Sequence, residues 1–207
     1  MGIPHTRGWH VTVFIQSCTR VCEKLCCESG FCARIGAYYY EDMVNREVSL
    51  GRIRPGDRVL CVGGGRTPFT ACLLAEKTGA DVTVIDHDPT VIADAEAFIS
   101  SWQLLKGQIR CKWQDGQEPG HDPYDIAHIA LQVTPQAKVT EAMFQLAGCE
   151  KVLCRIPKPG MQDQYPEAFV QADCEACTDR VAHRGARMAA ETVLFTKDAF
   201  VKEGAVG

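Results

Sequence analysis

Three consecutive glycines form the part of the sequence best suited to hold a ligand. Gly63, Gly64 and Gly65 follow the apolar run Arg58–Val62 and come shortly before Pro68, where a second apolar run begins. Because glycine has no side chain, the backbone at such a turn can adopt a positive φ and approach a bound molecule closely.

Two acidic residues stand at matching places further along the chain. Asp86 ends the next apolar run, 21 residues after Gly65, where a carboxylate can accept hydrogen bonds from both hydroxyls of a ribose. Asp115 follows the third apolar run and could face the amino group of an adenine. Together with the glycine turn, these acids predict a site for an adenosine-containing ligand.

Two classes of adenosine ligand fit this pattern. A dinucleotide site has the form G-x-G-x-x-G, in which the third glycine lets the helix pack closely and seat a pyrophosphate. This chain has Pro68 at that position. A ligand without phosphates needs only the close backbone approach and the two acids, which favours S-adenosylmethionine. The alternative is a turn without a ligand, with Asp86 only capping the next helix.

We therefore predict S-adenosylmethionine as the cofactor. Gly63–Gly65 would hold its methionine portion, Asp86 its ribose and Asp115 its adenine. The full set of predicted cofactor-binding residues is Gly63, Gly64, Gly65, Thr67, Pro68, Asp86, His87, Asp115, Gly116 and Gln132.

The apolar runs alternate with segments of helical periodicity. The predicted strands are Arg58–Val62, Asp81–Ile85, Gln108–Trp113, Tyr124–Leu131, Lys151–Ile156 and Ala189–Thr196, and the predicted helices are 11–34, Tyr38–Leu50, Pro68–Lys77, Pro89–Leu105 and Pro135–Ala147. This alternation indicates an α/β domain whose mainly parallel sheet is covered by helices on both faces. We predict a short helical segment over 1–52 and a Rossmann-like cofactor-binding domain over 53–207.

The chain resembles nicotianamine synthases, and their smaller archaeal and bacterial relatives, in the segment VLCVGGGRTPFTACLLAEKTGADVTVIDHDP. The loop of that family has the form G-x-G-P-x-P-x-T. Gly63, Gly65, Pro68 and Thr70 match it, whereas Arg66 replaces the first proline. Weaker similarity extends over roughly residues 36–161. Since these synthases are class I S-adenosylmethionine enzymes, the resemblance implies the class I methyltransferase fold.

Two reactions with the same cofactor are compatible with this resemblance. Methyl transfer to a small molecule, which leaves S-adenosylhomocysteine, is our leading prediction. Aminobutyryl transfer of the synthase type attacks a different carbon and leaves methylthioadenosine, and it is the alternative.

The resemblance also suggests catalytic residues. The synthases have an active-site glutamate near the position of Glu47, which could serve as a base or hold an amine, although Glu41 is a rival and a solvated helix face is the simpler explanation. Tyr38, Tyr39 and Tyr40 could cover the cofactor, with at least one of them expected in the core. His128 lies in a strand close to where methyltransferases bind substrates, but a core histidine is the favoured interpretation. Arg155 could bind a carboxylate or form a structural ion pair.

The sequence contains 12 cysteines. Cys18, Cys22 and Cys26 recur every four residues, and on a helix their thiolates could bind a soft metal or a cluster. Cys174 and Cys177 could complete such a site, which would make the chain a metal- or thiol-handling protein. We favour small apolar residues in a core or a dimer face and predict no metal site.

Composition limits the classes of partner. The net charge is -4, which argues against binding to nucleic acid or to an anionic membrane. No apolar run approaches the roughly 18 residues that a spanning helix needs. We expect a cytoplasmic protein with reduced cysteines that acts on a small molecule, and a homodimer would be compatible with the apolar residues of the first helices.

Overall fold

The structure is a computed structural model, and it describes residues 30–102, 106–165, 167–169 and 177–204. Within them the helices are α1 (Gly30–Gly51), α2 (Phe69–Thr78), α3 (Ile92–Ser101), α4 (Gln136–Gln145) and α5 (Lys197–Gly204). The strands are β1 (Arg58–Val62), β2 (Asp81–Asp86), β3 (Ile109–Trp113), β4 (Ile126–Ile129), β5 (Lys151–Pro157), β6 (Cys177–Ala182) and β7 (Ala189–Thr196), and short 3-10 turns cover Pro89–Val91 and Gln162–Gln164.

The described strands form one sheet in the order β3-β2-β1-β4-β5-β7-β6. Strands β1 to β5 are parallel, whereas β7 runs antiparallel to both β5 and β6. The order reverses between β1 and β4, and in parallel α/β sheets ligands bind beyond the carboxyl ends of the strands at such a point. The predicted α/β architecture is confirmed.

Helices cover both faces of the sheet because its central strands are apolar on both sides. Alternate residues of β1 belong to different core clusters: Val59 and Cys61 pack under α1, α2 and α3, whereas Leu60 and Val62 pack under α4 and α5. A strand buried on both faces requires the near-continuous apolar sequence from which β1 was predicted.

The ends of α2 follow from two residues of the sequence. Pro68 immediately precedes the helix, where its missing N–H leaves no intrahelical bond unmade. Gly79 follows the helix with a φ of 76°, and its N–H donates to the carbonyl of Ala75. Both ends agree with the prediction.

Several predicted bounds were wrong. From Gly30 onward the two predicted N-terminal helices are one continuous helix, α1, while residues 1–29 lie outside the described residues. The segment predicted as the helix Pro89–Leu105 begins as a 3-10 turn and ends at Ser101, since Trp102 is extended. The fourth strand covers only Ile126–Ile129.

Two elements near the carboxyl end were not predicted at all, the edge strand β6 and helix α5. No described helix has both the length and the apolar character needed to cross a membrane.

Candidate active site

The glycine loop, residues Gly63–Pro68, joins β1 to α2 in a conformation that uses its glycines in two ways. A Cβ on Gly63 would lie 2.5 Å from Val133 Cγ2, and one on Gly64 would lie 2.2 Å from Val84 Cγ1. Gly65 has a φ of 60°, but no atom lies within 4 Å of its Cβ position. The first two glycines therefore allow close packing, whereas Gly65 leaves its side of the loop open.

Two side chains fix this loop, one at the end of β2 and one just after β4, the two strands that flank β1. The Asp86 carboxylate accepts hydrogen bonds from the Gly65 N–H at 2.8 Å and from the Asp88 N–H at 3.0 Å. On the other side, Gln132 Nε2 donates to the Gly63 carbonyl at 2.8 Å. The alternative in which Asp86 caps the following helix is wrong, because Asp88 accepts the N–H of Thr90 there.

A cavity of about 120 Å³ lies beside the glycine loop. Its wall combines the loop and the first turn of α2 with side chains from three further elements: Tyr40 of α1, His128 of β4 and Arg155 of β5. Whole small-molecule sites usually measure about 300 to 1,000 Å³. The cavity is thus large enough for one part of such a molecule, and the remainder would lie along the open strand ends.

A buried ion pair forms the floor of the site. Arg155 donates through Nε to Glu47 Oε1 and through Nη2 to Glu47 Oε2, both at 2.8 Å. Glu47 has no exposed surface and Arg155 is 5% exposed. The explanation of Glu47 as part of a solvated helix face is therefore wrong. Its rival Glu41 is explained by an ion pair with Lys77 of α2.

The electrostatics of this pair keep both groups charged. Burial alone would raise the pKa of Glu47, but the charge and hydrogen bonds of Arg155, with a contribution from His128, lower the pKa well below its usual value. Burial alone would likewise lower the pKa of Arg155, and Glu47 raises it instead. A carboxylate held in this way is a weak base.

Two buried residues near the end of the chain complete the surroundings of Glu47. The Thr192 hydroxyl donates to Glu47 Oε1 at 2.7 Å, and it also lies 2.7 Å from His183 Nε2. Since the single proton of the hydroxyl goes to Glu47, His183 must donate through Nε2. Burial, the largest influence, lowers the pKa of His183, which favours this neutral form.

His128 is buried against the same carboxylate. Its Nε2 lies 3.3 Å from Glu47 Oε1, but the atom has no hydrogen bond of good geometry within the described residues. His128 is thus a buried histidine, as the favoured interpretation had it, but one whose ring nitrogen is unsatisfied. We refer to Glu47, Arg155, Thr192, His183 and His128 as the Glu47 network.

Tyr40 closes the site from the side of α1. Its ring stacks on Phe69 with centroids 5.3 Å apart, and the Arg155 guanidinium carbon lies 5.9 Å from its ring centre. Tyr38 and Tyr39 are instead exposed on the preceding turn. Of the three tyrosines, only Tyr40 lines the cavity.

The structure brings together only part of the predicted cofactor set. Gly63–Gly65, Thr67, Pro68 and Gln132 line the cavity with Tyr40 and His128. Asp86 lies behind the loop, and His87 and Asp115 are exposed beyond it. Gly116 is buried, and a Cβ there would lie 2.7 Å from Val62 Cγ1.

Some residues of the site were missed or undervalued by the sequence analysis. Arg155 forms the ion pair that was one of its two predicted roles, but it was not predicted as a site residue, although a charged residue within the apolar run of β5 was a signal for it. Thr192 and His183 carried no such signal. Trp113, which is 68% exposed and donates from Nε1 to the His87 carbonyl, adds an aromatic surface beside Asp86.

The described cysteines do not form a metal site. Cys61, Cys72, Cys111, Cys149, Cys154 and Cys177 are free thiols. Burial raises the pKa of Cys61, on the cavity wall, to about 12. No group of three potential metal ligands occurs within the described residues. The predicted cluster of Cys18, Cys22 and Cys26, and also Cys174, lies outside them.

Comparison with known proteins gives one local sequence match. No protein-family model matches the chain. The L-histidine 2-aminobutanoyltransferase of Yersinia pestis is 36% identical over 67 residues, which are 32% of this chain and 25% of that protein. The match therefore spans about a quarter of that enzyme.

Solved structures match over most of the chain. A variant of MtNAS, a nicotianamine synthase, in complex with S-adenosylmethionine has a TM-score of 0.73 at 17% identity and covers 92% of this chain and 76% of its own. MtNAS in complex with MTA and tNA has a TM-score of 0.70 at 18% identity, and the match covers 85% of this chain and 69% of MtNAS. A putative sarcosine dimethylglycine methyltransferase from Galdieria sulphuraria has a TM-score of 0.59 at 12% identity. This match covers 76% of this chain and 84% of that methyltransferase. The chain has the Rossmann-like fold of class I methyltransferases, as predicted.

Proposed function

We propose that this protein is an S-adenosylmethionine-dependent transferase that acts on a small molecule. The observation that carries the proposal is the glycine loop. It lies at the carboxyl end of β1, where the strand order reverses, and its open side at Gly65 adjoins a cavity. The names of the curated relative and of the structural neighbours support the same class of reaction.

The residues present fit the cofactor when the site is divided into an inner and an outer part. The methionine portion would lie in the cavity against Gly63–Gly65. The adenosine would extend outward, with the ribose towards Asp86 and the adenine between His87 and Asp115. Each Asp86 oxygen accepts one protein hydrogen bond, and a carboxylate has about four acceptor positions in all. Asp86 can thus bind ribose hydroxyls while it holds the loop.

Between the two candidate reactions, we propose aminobutanoyl transfer first. The curated relative is named for that reaction, and MtNAS gives higher TM-scores than the methyltransferases. This reverses the order that the sequence alone suggested. Methyl transfer stays as the second candidate, since a magnesium protoporphyrin IX methyltransferase from Synechocystis, with a TM-score of 0.53, also shares the fold.

The side chains around the cavity suggest a division of roles. S-adenosylmethionine, when bound, supplies an electrophilic carbon next to a sulfonium. Tyr40 and His128 face the cavity and are our candidates for contacts with the reacting groups, with His128 placed to accept a proton from an attacking amine. Glu47, for which the resemblance suggests a role as a base or an amine holder, is fully buried with a lowered pKa. We propose that it orients Arg155.

We further propose that the acceptor is a small molecule, since the cavity is small and the chain is acidic. An RNA methyltransferase from Salinibacter ruber shares the fold at a TM-score of 0.54. A homodimer and a cytoplasmic location remain predictions.

The test is to identify the nucleoside product. The purified protein is incubated with S-adenosylmethionine and a pool of amino acids, thiols and cell-extract metabolites, and the products are quantified by mass spectrometry against heat-treated protein and an Asp86→Ala variant. We expect methylthioadenosine in excess of both controls. S-adenosylhomocysteine instead would establish the methyl-transfer candidate, and neither product above the controls would overturn the proposed function.

A further inference from the structure

Arg66 joins the glycine loop to the segment that follows β2. Its Nη1 donates to the Asp94 carboxylate in the first turn of α3 and to the Thr90 carbonyl at 3.5 Å, and its Nη2 donates to the Thr90 hydroxyl at 3.4 Å. Thr90 belongs to the 3-10 turn Pro89–Val91, which leads into α3. One guanidinium thus connects the loop to two consecutive elements.

Asp86 makes a second connection between the same two segments. Its carboxylate accepts the N–H of Gly65 at 2.8 Å and the N–H of Asp88 at 3.0 Å. Gly65 directly precedes Arg66 in the chain, and the Asp88 side chain caps the 3-10 turn that contains Thr90. The loop, the turn and the two side chains therefore form a closed ring, in which Asp86 is buried and Arg66 is partly exposed.

This ring fixes the orientation of the Asp86 carboxylate. Both of its donors are backbone N–H groups of the two connected segments, so a separation of the loop from the turn would break at least one of these hydrogen bonds. Arg66 opposes that separation, whereas Gln132 holds the loop at Gly63, on the side of β4. A carboxylate that is already oriented loses less conformational freedom when a ligand binds, and this favours affinity.

We propose that Arg66 is a positioning residue for the cofactor and acts through Asp86. The inference rests on the proposed function, in which Asp86 binds the ribose, and it adds the residue that keeps this carboxylate in its binding orientation. The Arg66 and Asp94 side chains are 40% and 45% exposed. Because salt screens an ion pair of this kind, the affinity for S-adenosylmethionine should depend on ionic strength through this bridge.

Calorimetry of S-adenosylmethionine binding tests the bridge from both of its ends. Arg66→Met and Asp94→Asn should each raise the Kd by about 2- to 5-fold, the range for the loss of an exposed ion pair. Arg66→Lys keeps the positive charge and should recover part of the affinity. Raising the NaCl concentration from about 50 mM to about 1 M should weaken binding to the wild-type protein more than binding to Arg66→Met, which has no ionic bridge left to screen.

Arg58 provides the matched control. It forms an ion pair with Asp125 at the amino end of β1, and these side chains are similarly exposed, 43% and 38%. Arg58→Met should lower the thermal unfolding temperature at least as much as Arg66→Met, yet leave the Kd of S-adenosylmethionine unchanged. If Arg66 only stabilised the fold, the two variants would affect binding alike.

A double variant tests whether Arg66 acts through Asp86. Asp86→Ala has no carboxylate left to orient, so adding Arg66→Met to it should change the Kd little further. Losses that add up in the double variant would show that Arg66 acts independently of Asp86, and the inference would be wrong.

The outcomes separate this inference from the proposed function. If Arg66→Met and Asp94→Asn fold and bind S-adenosylmethionine as tightly as the wild-type protein at both salt concentrations, the positioning role is wrong and the proposed function stands. If the wild-type protein does not bind S-adenosylmethionine, the proposed function fails and the inference fails with it.

Discussion

The glycine loop and the Glu47 network differ in how they are built, although they share one cavity. The loop is fixed by Asp86 and Gln132, one at the end of β2 and the other just after β4, and its residues from Gly63 to Thr67 are only partly buried. The network is almost fully buried, and each carboxylate oxygen of Glu47 is engaged by a named donor.

This difference separates two tasks. The open side of Gly65 lets a ligand approach backbone, and few side chains there have to be held in place. The network instead keeps a charged arginine at the wall of a small cavity. That is possible only because Glu47 balances its charge, since a buried unpaired ion is strongly destabilising. We therefore expect the loop to determine ligand access and the network to determine the orientation of Arg155.

The largest effect should come from breaking the network on one side. Arg155→Met leaves the Glu47 carboxylate buried without its partner, and we expect a loss of about 3–5 kcal/mol in the free energy of unfolding. Urea denaturation measures it. The double variant Glu47→Leu/Arg155→Met removes both charges and should lose less than Arg155→Met does. A single variant that costs under about 1 kcal/mol would show that the pair is not desolvated as the geometry implies.

Two adjacent glycines of the loop should respond differently to the same change. Gly64→Ala places a methyl group against Val84 and should cost about 1–3 kcal/mol through overpacking. In Gly65→Ala the new methyl group contacts no atom, so only the positive φ of 60° is unfavourable. We expect it to lower the free energy of unfolding by about 1 kcal/mol. Thermal unfolding of both variants at equal concentration checks the order. The reverse order would mean that the loop is not packed against β2 as described.

Binding rather than stability should reveal the role of Asp86. Asp86→Ala removes the acceptor for the Gly65 N–H and the proposed ribose contact, so we expect S-adenosylmethionine affinity to fall by about 1–3 kcal/mol in calorimetry. Asp81→Ala is the matched control. Asp81 lies at the other end of β2, where its carboxylate accepts a hydrogen bond from the Gln108 N–H. The affinity of this control variant for S-adenosylmethionine should be unchanged. Equal losses in both variants would remove Asp86 from the site.

The smallest effect should come from the opposite side of the loop. Gln132→Ala removes one exposed hydrogen bond to the Gly63 carbonyl, so we expect the affinity for S-adenosylmethionine to fall by about 0.5–1.5 kcal/mol. Thr134→Ala, a nearby exposed residue, is the control for calorimetry and should have no effect. If the loss of S-adenosylmethionine affinity in Gln132→Ala exceeds the loss in Asp86→Ala, Gln132 contacts the ligand directly and does not merely hold the loop.

The sequence predicted the loop side of the molecule better than the network side, for a physical reason. The glycine turn, the apolar strands beside it and the acid that ends β2 all lie within one short segment, so the local sequence pattern predicts them. Glu47 and Arg155 are 108 residues apart, and nothing in either local pattern shows that they meet. The local sequence around Glu47 is typical of an exposed polar position on a helix.

The same reasoning explains the missed edge strand. β6 has exposed side chains along most of its length, so it lacks the apolar run from which the buried strands were recognised. The segment of helix α1 was predicted as parts of two helices, because the apolar residues and cysteines over 11–34 have mixed spacing and a separate apolar pattern begins at Tyr38. Its continuity from Gly30 to Gly51 is visible only in the structure.

The distance along the chain between the members of the Glu47 network also sets the order in which the protein is assembled. Thr192 follows Glu47 by 145 residues, and closing so long a loop carries a large entropic cost before its contacts can form. Helix α1 leaves the ribosome before the other described elements, but the surroundings of Glu47 cannot be completed until β7 has been synthesised. The Glu47 network can thus be completed only after the glycine loop has been synthesised, and a nascent chain that ends before Arg155 has the loop without the arginine beside it.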